Sequence, residues 1–133
     1  MFKRVEKLKK EHAVIIDALS QAKSIGVTTE KGRLLLLEAK KTLLEHLKNE
    51  DTYLYPVLNK ASQSDDNLKT LISEDVSEIG AVADMAIKFF DKCENNQTDA
   101  QYVEDFKELF KSLLYRIHNE EETIYAEYDK IIS

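Results

Sequence analysis

Hydrophobic residues recur three and four positions apart along most of the chain, which is the spacing of one face of an α-helix. In the first segment these positions are Val5, Leu8, His12, Ile15, Leu19 and Ala22. The pattern breaks at residues 25–29, where Gly26 favours a turn and Thr29 can cap a following helix. The spacing therefore predicts a first helix that ends close to Gly26.

The same spacing predicts a second helix from about Glu30 to about Lys60. Pro56 lies near its end, and because proline lacks a backbone N–H, it should kink or loosen the last turn. The face expected to point inward consists of Leu36, Ala39, Leu43, His46, Glu50, Tyr53 and Val57.

Two short polar segments, residues 62–67 and 94–97, separate the second, third and fourth helices. The third helix should end near Cys93, and Thr98 with Gln101 fits a capping box that opens the fourth. Short connections make consecutive long helices antiparallel neighbours. The predicted fold is all-α, an up-down-up-down four-helix bundle formed by a single domain over residues 1–133.

Composition narrows the classes of function. The net charge of −6 argues against a nucleic-acid partner, because phosphate binding needs a basic surface. No stretch approaches the roughly 18 apolar residues of a membrane span. Cys93 is the only cysteine, so no intramolecular disulfide can form, and a reducing compartment is indicated. The expectation is a cytoplasmic protein without nucleic-acid or membrane partners, whose oligomeric state the sequence leaves open.

Several polar residues occupy positions where a bundle core needs aliphatic side chains. His12, His46, Glu50 and Asp75 lie within the predicted apolar faces, and Glu78 flanks Asp75. Burying such groups without partners costs several kcal/mol each, roughly, so something must compensate them. Two compensations are open: a structural layer of hydrogen bonds and ion pairs, or a metal ion bound by imidazole and carboxylate.

A repeated pattern, H-x-x-x-E-x-x-Y, favours the metal; it occurs at residues 46–53 and 118–125. Residues four apart lie one turn apart on the same helix face, so each His and Glu can hold one ion together. On the fourth helix this spacing selects His118 and Glu122, whereas the hydrophobic phase favours Glu121. We expect Glu122 to be the ligand. Carboxylates and histidines from four bundle helices are the usual components of di-metal centres.

These residues resemble the hemerythrin-like, or HHE cation-binding, family over nearly the whole chain. The resemblance is carried by Glu11-His12, by residues 46–51 running into Leu54-Tyr55-Pro56, and by residues 118–122. It implies two iron ions, with manganese or a mixed pair less favoured. By resemblance, the terminal ligands would be His12, His46 and His118, and the bridging carboxylates would be Glu50 and Glu122.

The third helix departs from the family, whose members usually carry a histidine there. Ser73-Glu74-Asp75 occupies the place where the family often reads Ser-Glu-His, so Asp75 is the candidate replacement for that histidine. Glu78, one turn further on, is the second candidate, and Glu74 points further from the core. A carboxylate in place of an imidazole adds negative charge and stabilises ferric iron. The resemblance therefore implies a protein that reacts with or senses dioxygen, peroxide, nitric oxide or iron rather than a reversible oxygen carrier.

Tyr53 and Tyr125, one turn beyond each predicted glutamate, are candidates to hydrogen-bond a small diatomic ligand or peroxide, or are simply core tyrosines. Two other functions remain open at this point. One is a di-iron oxidase or peroxidase, which would need a substrate channel. The other is a metal-free helical interaction module in which the polar layer fixes helix register.

Overall fold

The computed structural model describes residues 3–132, and the regular structure within them is helical, with no β-strand. A π-helical turn, Glu50–Leu54, joins the second and third helices without a loop. The helices are α1 (Lys3–Ile25), α2 (Glu30–Asn49), α3 (Tyr55–Ser62), α4 (Asp66–Glu94), α5 (Ala100–Glu122) and α6 (Ile124–Ile132).

Four rods form the bundle, because α2, the π turn and α3 run on as one rod, and α6 continues α5 after a break at Thr123. Helix α1 packs against α2 and α5, and α4 packs against the same two helices. Turns of a few residues connect successive rods, as expected for antiparallel neighbours. The prediction of an all-α, up-down-up-down four-helix bundle is confirmed.

Local sequence explains most of the helix ends. The Thr29 hydroxyl accepts a hydrogen bond from the Gly32 N–H at 3.0 Å, as the sequence predicted. At Gly32 a side chain is excluded, since a Cβ there would lie 1.9 Å from the Gly26 carbonyl oxygen. The predicted cap of the fourth rod is wrong by one residue: Asp99, not Thr98, accepts the Tyr102 N–H at 2.9 Å.

The π turn shows how Pro56 changes the second rod. Pro56 has no N–H to donate, and the turn immediately before it shifts to the wider pattern, in which the Tyr55 N–H reaches the Glu50 carbonyl. The sequence predicted a disturbed last turn at Pro56, and the structure places the disturbance just before it. As a result, the π turn opens at Glu50, one of the buried acidic residues.

A layer of polar side chains divides the buried interior into two apolar clusters. The larger cluster includes Ile15, Leu36, Phe89 and Tyr102, and the smaller includes Leu8, Leu58 and Ile124. Between them lies a set that we call the polar layer: His12, His46, Glu50, Asp75, Arg116 and Glu120. Every member is at most 5% exposed, so each must find its charge or hydrogen-bond partners inside the protein.

Across residues 3–132, none of the helices combines the length and the apolar character that crossing a bilayer requires.

Candidate metal centre

Four side chains of the polar layer converge on one point. His12, His46, Glu50 and Glu120 each offer one nitrogen or oxygen atom, and these atoms all lie within 4.8 Å of one another. The rings of His12 and His46 are tilted against each other, with centroids 4.4 Å apart. Two imidazoles and two carboxylates form a ligand set that suits iron, manganese or zinc. We call this set the histidine side of the polar layer.

Three rods supply these groups. His46 and Glu50 lie one turn apart on the second rod, with His46 Nε2 3.3 Å from Glu50 Oε2. His12 faces them from the middle of α1, and its Nε2 lies 3.2 Å from Oε1 of Glu120 in the last turn of α5. In both pairs the Nε2 atom faces a carboxylate, so the two Nε2 atoms are the ones positioned to bind an ion.

Two further carboxylates orient the imidazole rings from behind. The Nδ1 of His46 lies 2.9 Å from Glu11 Oε1, and the Nδ1 of His12 lies 2.9 Å from Glu121 Oε2. Asn49 donates to the second oxygen of Glu11 at 2.7 Å. A carboxylate that accepts the Nδ1–H leaves the lone pair on Nε2 and raises its basicity. This arrangement is the usual support of metal-binding histidines.

Tyr125 closes the cluster on the side of α6. Its hydroxyl donates to Glu50 Oε2 at 2.7 Å and lies 3.1 Å from the Nε2 of His12. Burial, together with the nearby charges of Glu120 and Glu50, raises the pKa of the phenol, so it keeps its proton. In an unbroken helix, positions 120 and 125 would point about 140° apart; the break at Thr123 is what lets both residues reach one cluster.

The charges within the cluster are unevenly distributed. Burial and the positive charge of His46 lower the pKa of His12. Burial also opposes charge on His46, but hydrogen bonds and charges from Glu50 and Glu11 outweigh it and raise the His46 pKa. The Glu50 pKa is lowered despite burial, because His46 and Tyr125 stabilise the carboxylate. Burial and the negative charges of Glu50 and Asp75 raise the pKa of Glu120 well above its usual range.

One carboxylate oxygen of the cluster lacks a partner that a cation could supply. Among the described residues no hydrogen-bond donor reaches Oε2 of Glu120, although that side chain is only 4% exposed. A buried acceptor without a partner costs free energy, and here the chain places a second carboxylate, Glu50, beside it. A metal ion would satisfy both carboxylates and both Nε2 atoms at once.

The opposite side of the polar layer is arranged differently. Arg116 of α5 forms a buried ion pair with Oδ1 of Asp75 on α4, and Tyr55 donates its hydroxyl to Oδ2 of the same carboxylate. Glu78, whose side chain is half exposed, also pairs with Arg116. Burial raises the pKa of Asp75, even though Tyr55 and Arg116 stabilise its charged form. We call this set the arginine side.

A narrow cavity of about 40 Å³ adjoins both sides of the layer. The cluster residues and Arg116 line one part of it, and the remainder is apolar, with Ile15, Leu43, Val82 and Leu113 among the lining side chains. At roughly 10–15 Å³ for each water-sized probe, this space holds only a few small molecules. Any ligand that reaches the cluster through it must be small.

Comparison with known protein families shows which family the chain belongs to. The chain matches the hemerythrin HHE cation-binding domain over residues 3–128. It belongs to the HHE family. No curated protein and no solved structure showed a significant match to the chain. Membership confirms the resemblance inferred from the sequence, and the buried cluster gives this HHE domain a set of residues that can hold a metal ion.

The structure places the predicted site residues of the HHE domain in two groups. His12, His46 and Glu50 come together, as expected, whereas His118 and Glu122 are exposed on α5. The expectation that all three histidines converge inside is therefore wrong. The physical reason is helix phase: the buried positions at this end of α5 include Leu113, Arg116, Ile117 and Glu120, so residues 118 and 122 fall on the outer face.

None of the acidic residues predicted as ligands on α4 joins the group of four. Asp75 is buried in the polar layer but pairs with Arg116 rather than joining the group of four. Glu78 pairs with Arg116 from an exposed position, and Glu74 is exposed. Tyr53 is 44% exposed beneath the Arg4 guanidinium, so of the two candidate tyrosines only Tyr125 reaches the cluster.

The sequence analysis missed residues that complete the polar layer. Glu120 and Arg116 are four apart on one face of α5, a spacing hidden by the stronger match at His118 and Glu122. Glu121 had been weighed as a ligand, but it supports His12 instead. The hydrophobic phase of α5 argued against Glu122, but because it favoured Glu121, it did not identify Glu120 either.

Proposed function

We propose that this HHE domain binds iron through His12, His46, Glu50 and Glu120 and takes up a small ligand, dioxygen, nitric oxide or peroxide, beside it. The observation that carries the proposal is the buried cluster of two imidazoles and two carboxylates that borders a small, largely apolar cavity. Because the ligand set contains no thiolate and is rich in carboxylate, it favours iron or manganese over zinc. Bound iron would supply redox chemistry and affinity for such ligands.

The surrounding residues have distinct tasks in this proposal. Glu11 and Glu121 fix the ring orientation of His46 and His12, so that both Nε2 atoms stay turned toward the ion. Tyr125 stays protonated and can donate a hydrogen bond at the centre. The apolar wall of the cavity keeps the space poor in water and restricts access by size.

The carboxylates also indicate what the domain does with its ligand. Glu50 and Glu120 contribute two negative charges among four ligands, which stabilises ferric iron. A centre that favours the ferric state is poorly suited to releasing dioxygen unchanged. We therefore propose sensing of, or reaction with, the small ligand rather than reversible oxygen transport.

The three histidines provide a matched experiment. The domain is purified from iron-supplemented cells as the wild type and as His12→Ala, His46→Ala and His118→Ala, and iron per chain is measured by elemental analysis. Nitric oxide is then added to the reduced proteins, and the visible absorption spectrum is recorded. Wild type and His118→Ala should carry iron and respond to nitric oxide, whereas His12→Ala and His46→Ala should do neither.

His118→Ala is the control, because it removes an exposed imidazole from the same short sequence pattern. Circular dichroism establishes that each variant remains helical. Iron retained in His46→Ala, or lost in His118→Ala, would contradict the proposed site. Iron binding without any spectral response to nitric oxide would contradict the proposed ligand class.

A further inference from the structure

The two sides of the polar layer are built on the same plan. His46 and Glu50 of the histidine side lie four residues apart on the second rod, and on α5 Arg116 of the arginine side lies four residues before Glu120 of the histidine side. Each side also has a tyrosine that donates to a buried carboxylate: Tyr125 to Glu50 on the histidine side, and Tyr55 to Asp75 on the arginine side. The arginine side therefore stands where a second metal ion would be expected in a di-metal centre.

The arginine side cannot bind that second ion. A guanidinium is always protonated and has only N–H donors, so Arg116 has no lone pair to offer a metal. Both oxygens of Asp75 are already engaged, Oδ1 with Arg116 and Oδ2 with the Tyr55 hydroxyl. Asp75 also lies outside the only group of metal-binding side chains found among residues 3–132. The residues present do not fit a pair of metal ions.

Charge leads to the same result. The polar layer buries three carboxylates, Glu50, Asp75 and Glu120, which carry three negative charges when ionised. The Arg116 guanidinium already supplies a positive charge beside Asp75. A second metal ion there would lie next to that buried cation, and repulsion between two buried positive charges is only weakly screened.

We propose that the domain binds one metal ion per chain, and that Arg116, paired with Asp75, occupies the place of a second and supplies a positive charge there. This inference rests on the proposed iron centre and replaces the pair of ions that the sequence had predicted. A single iron changes its oxidation state by one electron at a time. The domain is therefore suited to binding nitric oxide or to one-electron sensing more than to the two-electron reduction of dioxygen.

Metal stoichiometry tests the inference without reference to any activity. The full chain is stripped with a chelator and titrated with Mn²⁺, bound metal is counted by elemental analysis, and the electron paramagnetic resonance spectrum is recorded at saturation. We expect one ion per chain and the spectrum of a magnetically isolated ion. Two ions per chain, or the spectrum of a coupled pair, would overturn the inference while leaving the proposed site intact. A chain that binds no transition metal would instead refute the proposed function.

A gain-of-function variant tests the place assigned to Arg116. The double variant Asp75→His/Arg116→His supplies two imidazoles where the ion pair stood and removes the competing charge. It should bind a second ion, raising the metal content from one to two per chain. The single variant Arg116→Lys keeps a positive charge and should stay at one. A double variant that remains helical and still binds one ion would show that the arginine side is not a second metal position. If the double variant does not fold, the titration of the wild type still decides the number of ions per chain.

Discussion

The two sides of the polar layer solve the same physical problem in different ways. On the arginine side, the chain itself provides the cation that neutralises a buried carboxylate, since Arg116 pairs with Asp75. On the histidine side, Glu50 and Glu120 lie beside two imidazoles, and Oε2 of Glu120 has no donor within the described chain. Both oxygens of Asp75 have partners as folded, although Nε of Arg116 has none among residues 3–132, whereas a cation from outside would supply the partner that Oε2 of Glu120 lacks.

The arginine side and the histidine side are therefore expected to contribute differently, the first to the stability of the fold and the second to metal binding. A buried ion pair contributes to the fold whether or not a ligand is present, and removing one partner leaves the other charged and unsolvated. On the histidine side, burial and the neighbouring carboxylates disfavour the ionised form of Glu120, and the free energy of binding a metal ion would add to the stability of the fold. Substitutions on the arginine side should therefore affect stability, and those on the histidine side should affect metal binding.

The largest effect is expected for Arg116→Met in the metal-free protein. This substitution leaves Asp75 buried without its cation, so the free energy of unfolding should fall by about 3–5 kcal/mol. Urea denaturation followed by circular dichroism measures the loss. Glu78→Gln removes the other partner of Arg116, but because that side chain is half exposed, the expected loss is below about 1 kcal/mol.

A matched change on the histidine side should behave in the opposite way. Burial and the charges of Glu50 and Asp75 already disfavour the ionised form of Glu120, as its raised pKa shows. Glu120→Gln should therefore leave the metal-free domain as stable as wild type or more so, while it weakens metal binding. The comparison between the two sides fails if Glu120→Gln destabilises the metal-free domain as much as Arg116→Met does.

A smaller effect is expected for the carboxylates that orient the histidines. Glu11→Gln and Glu121→Gln replace the acceptors at Nδ1 of His46 and His12, and each should weaken metal affinity by about 10–100-fold. Isothermal titration with Mn²⁺ measures the change. Glu122→Gln, a neighbouring exposed glutamate, is the control and should leave the affinity unchanged. An equal loss in all three variants would point to a general charge effect instead of ring orientation.

The smallest effect is expected for the two tyrosines. Tyr125→Phe and Tyr55→Phe each remove one hydroxyl that donates to a buried carboxylate, so each should lower the free energy of unfolding by about 0.5–1.5 kcal/mol. Only Tyr125→Phe should also change metal affinity, because the Tyr125 hydroxyl donates to Glu50, a proposed ligand. The Tyr55 hydroxyl donates to Asp75, which is not one. If the titration shows the same change for both variants, the two sides are not independent.

Much of the fold followed from the chain's hydrophobic spacing. The spacing predicted four rods, and the structure ends the second of them at Ser62, close to the predicted Lys60. Thr29 caps α2 as predicted because capping depends on a few neighbouring residues. Pro56 signalled a disturbed turn, but its form, a π turn that opens at Glu50, depends on how the whole rod packs.

The site was predicted only in part. His12, His46 and Glu50 lie on periodic apolar faces and are buried as predicted, whereas Tyr53, on the same predicted face as His46, is exposed. On α5 the four-residue spacing from His118 selected Glu122 as the ligand, whereas the hydrophobic phase favoured Glu121. The structure confirms neither choice, since it buries Glu120, exposes Glu122 and leaves Glu121 partly exposed beside His12. A motif match was misleading where it disagreed with the apolar pattern.

By itself, the sequence determined that the chain forms a helical bundle with ionisable groups in its interior, because periodicity of side chains along a helix is a local property. Which of those groups meet was decided only by the tertiary structure. Asp75 and Arg116 are far apart in the sequence, as are His12 and Glu120, and their pairing depends on the depth and rotation of whole helices. Packing sets the depth and rotation of the helices. It therefore decides that Asp75 pairs with Arg116, whereas Glu50 and Glu120 lie in the group that can hold a metal ion.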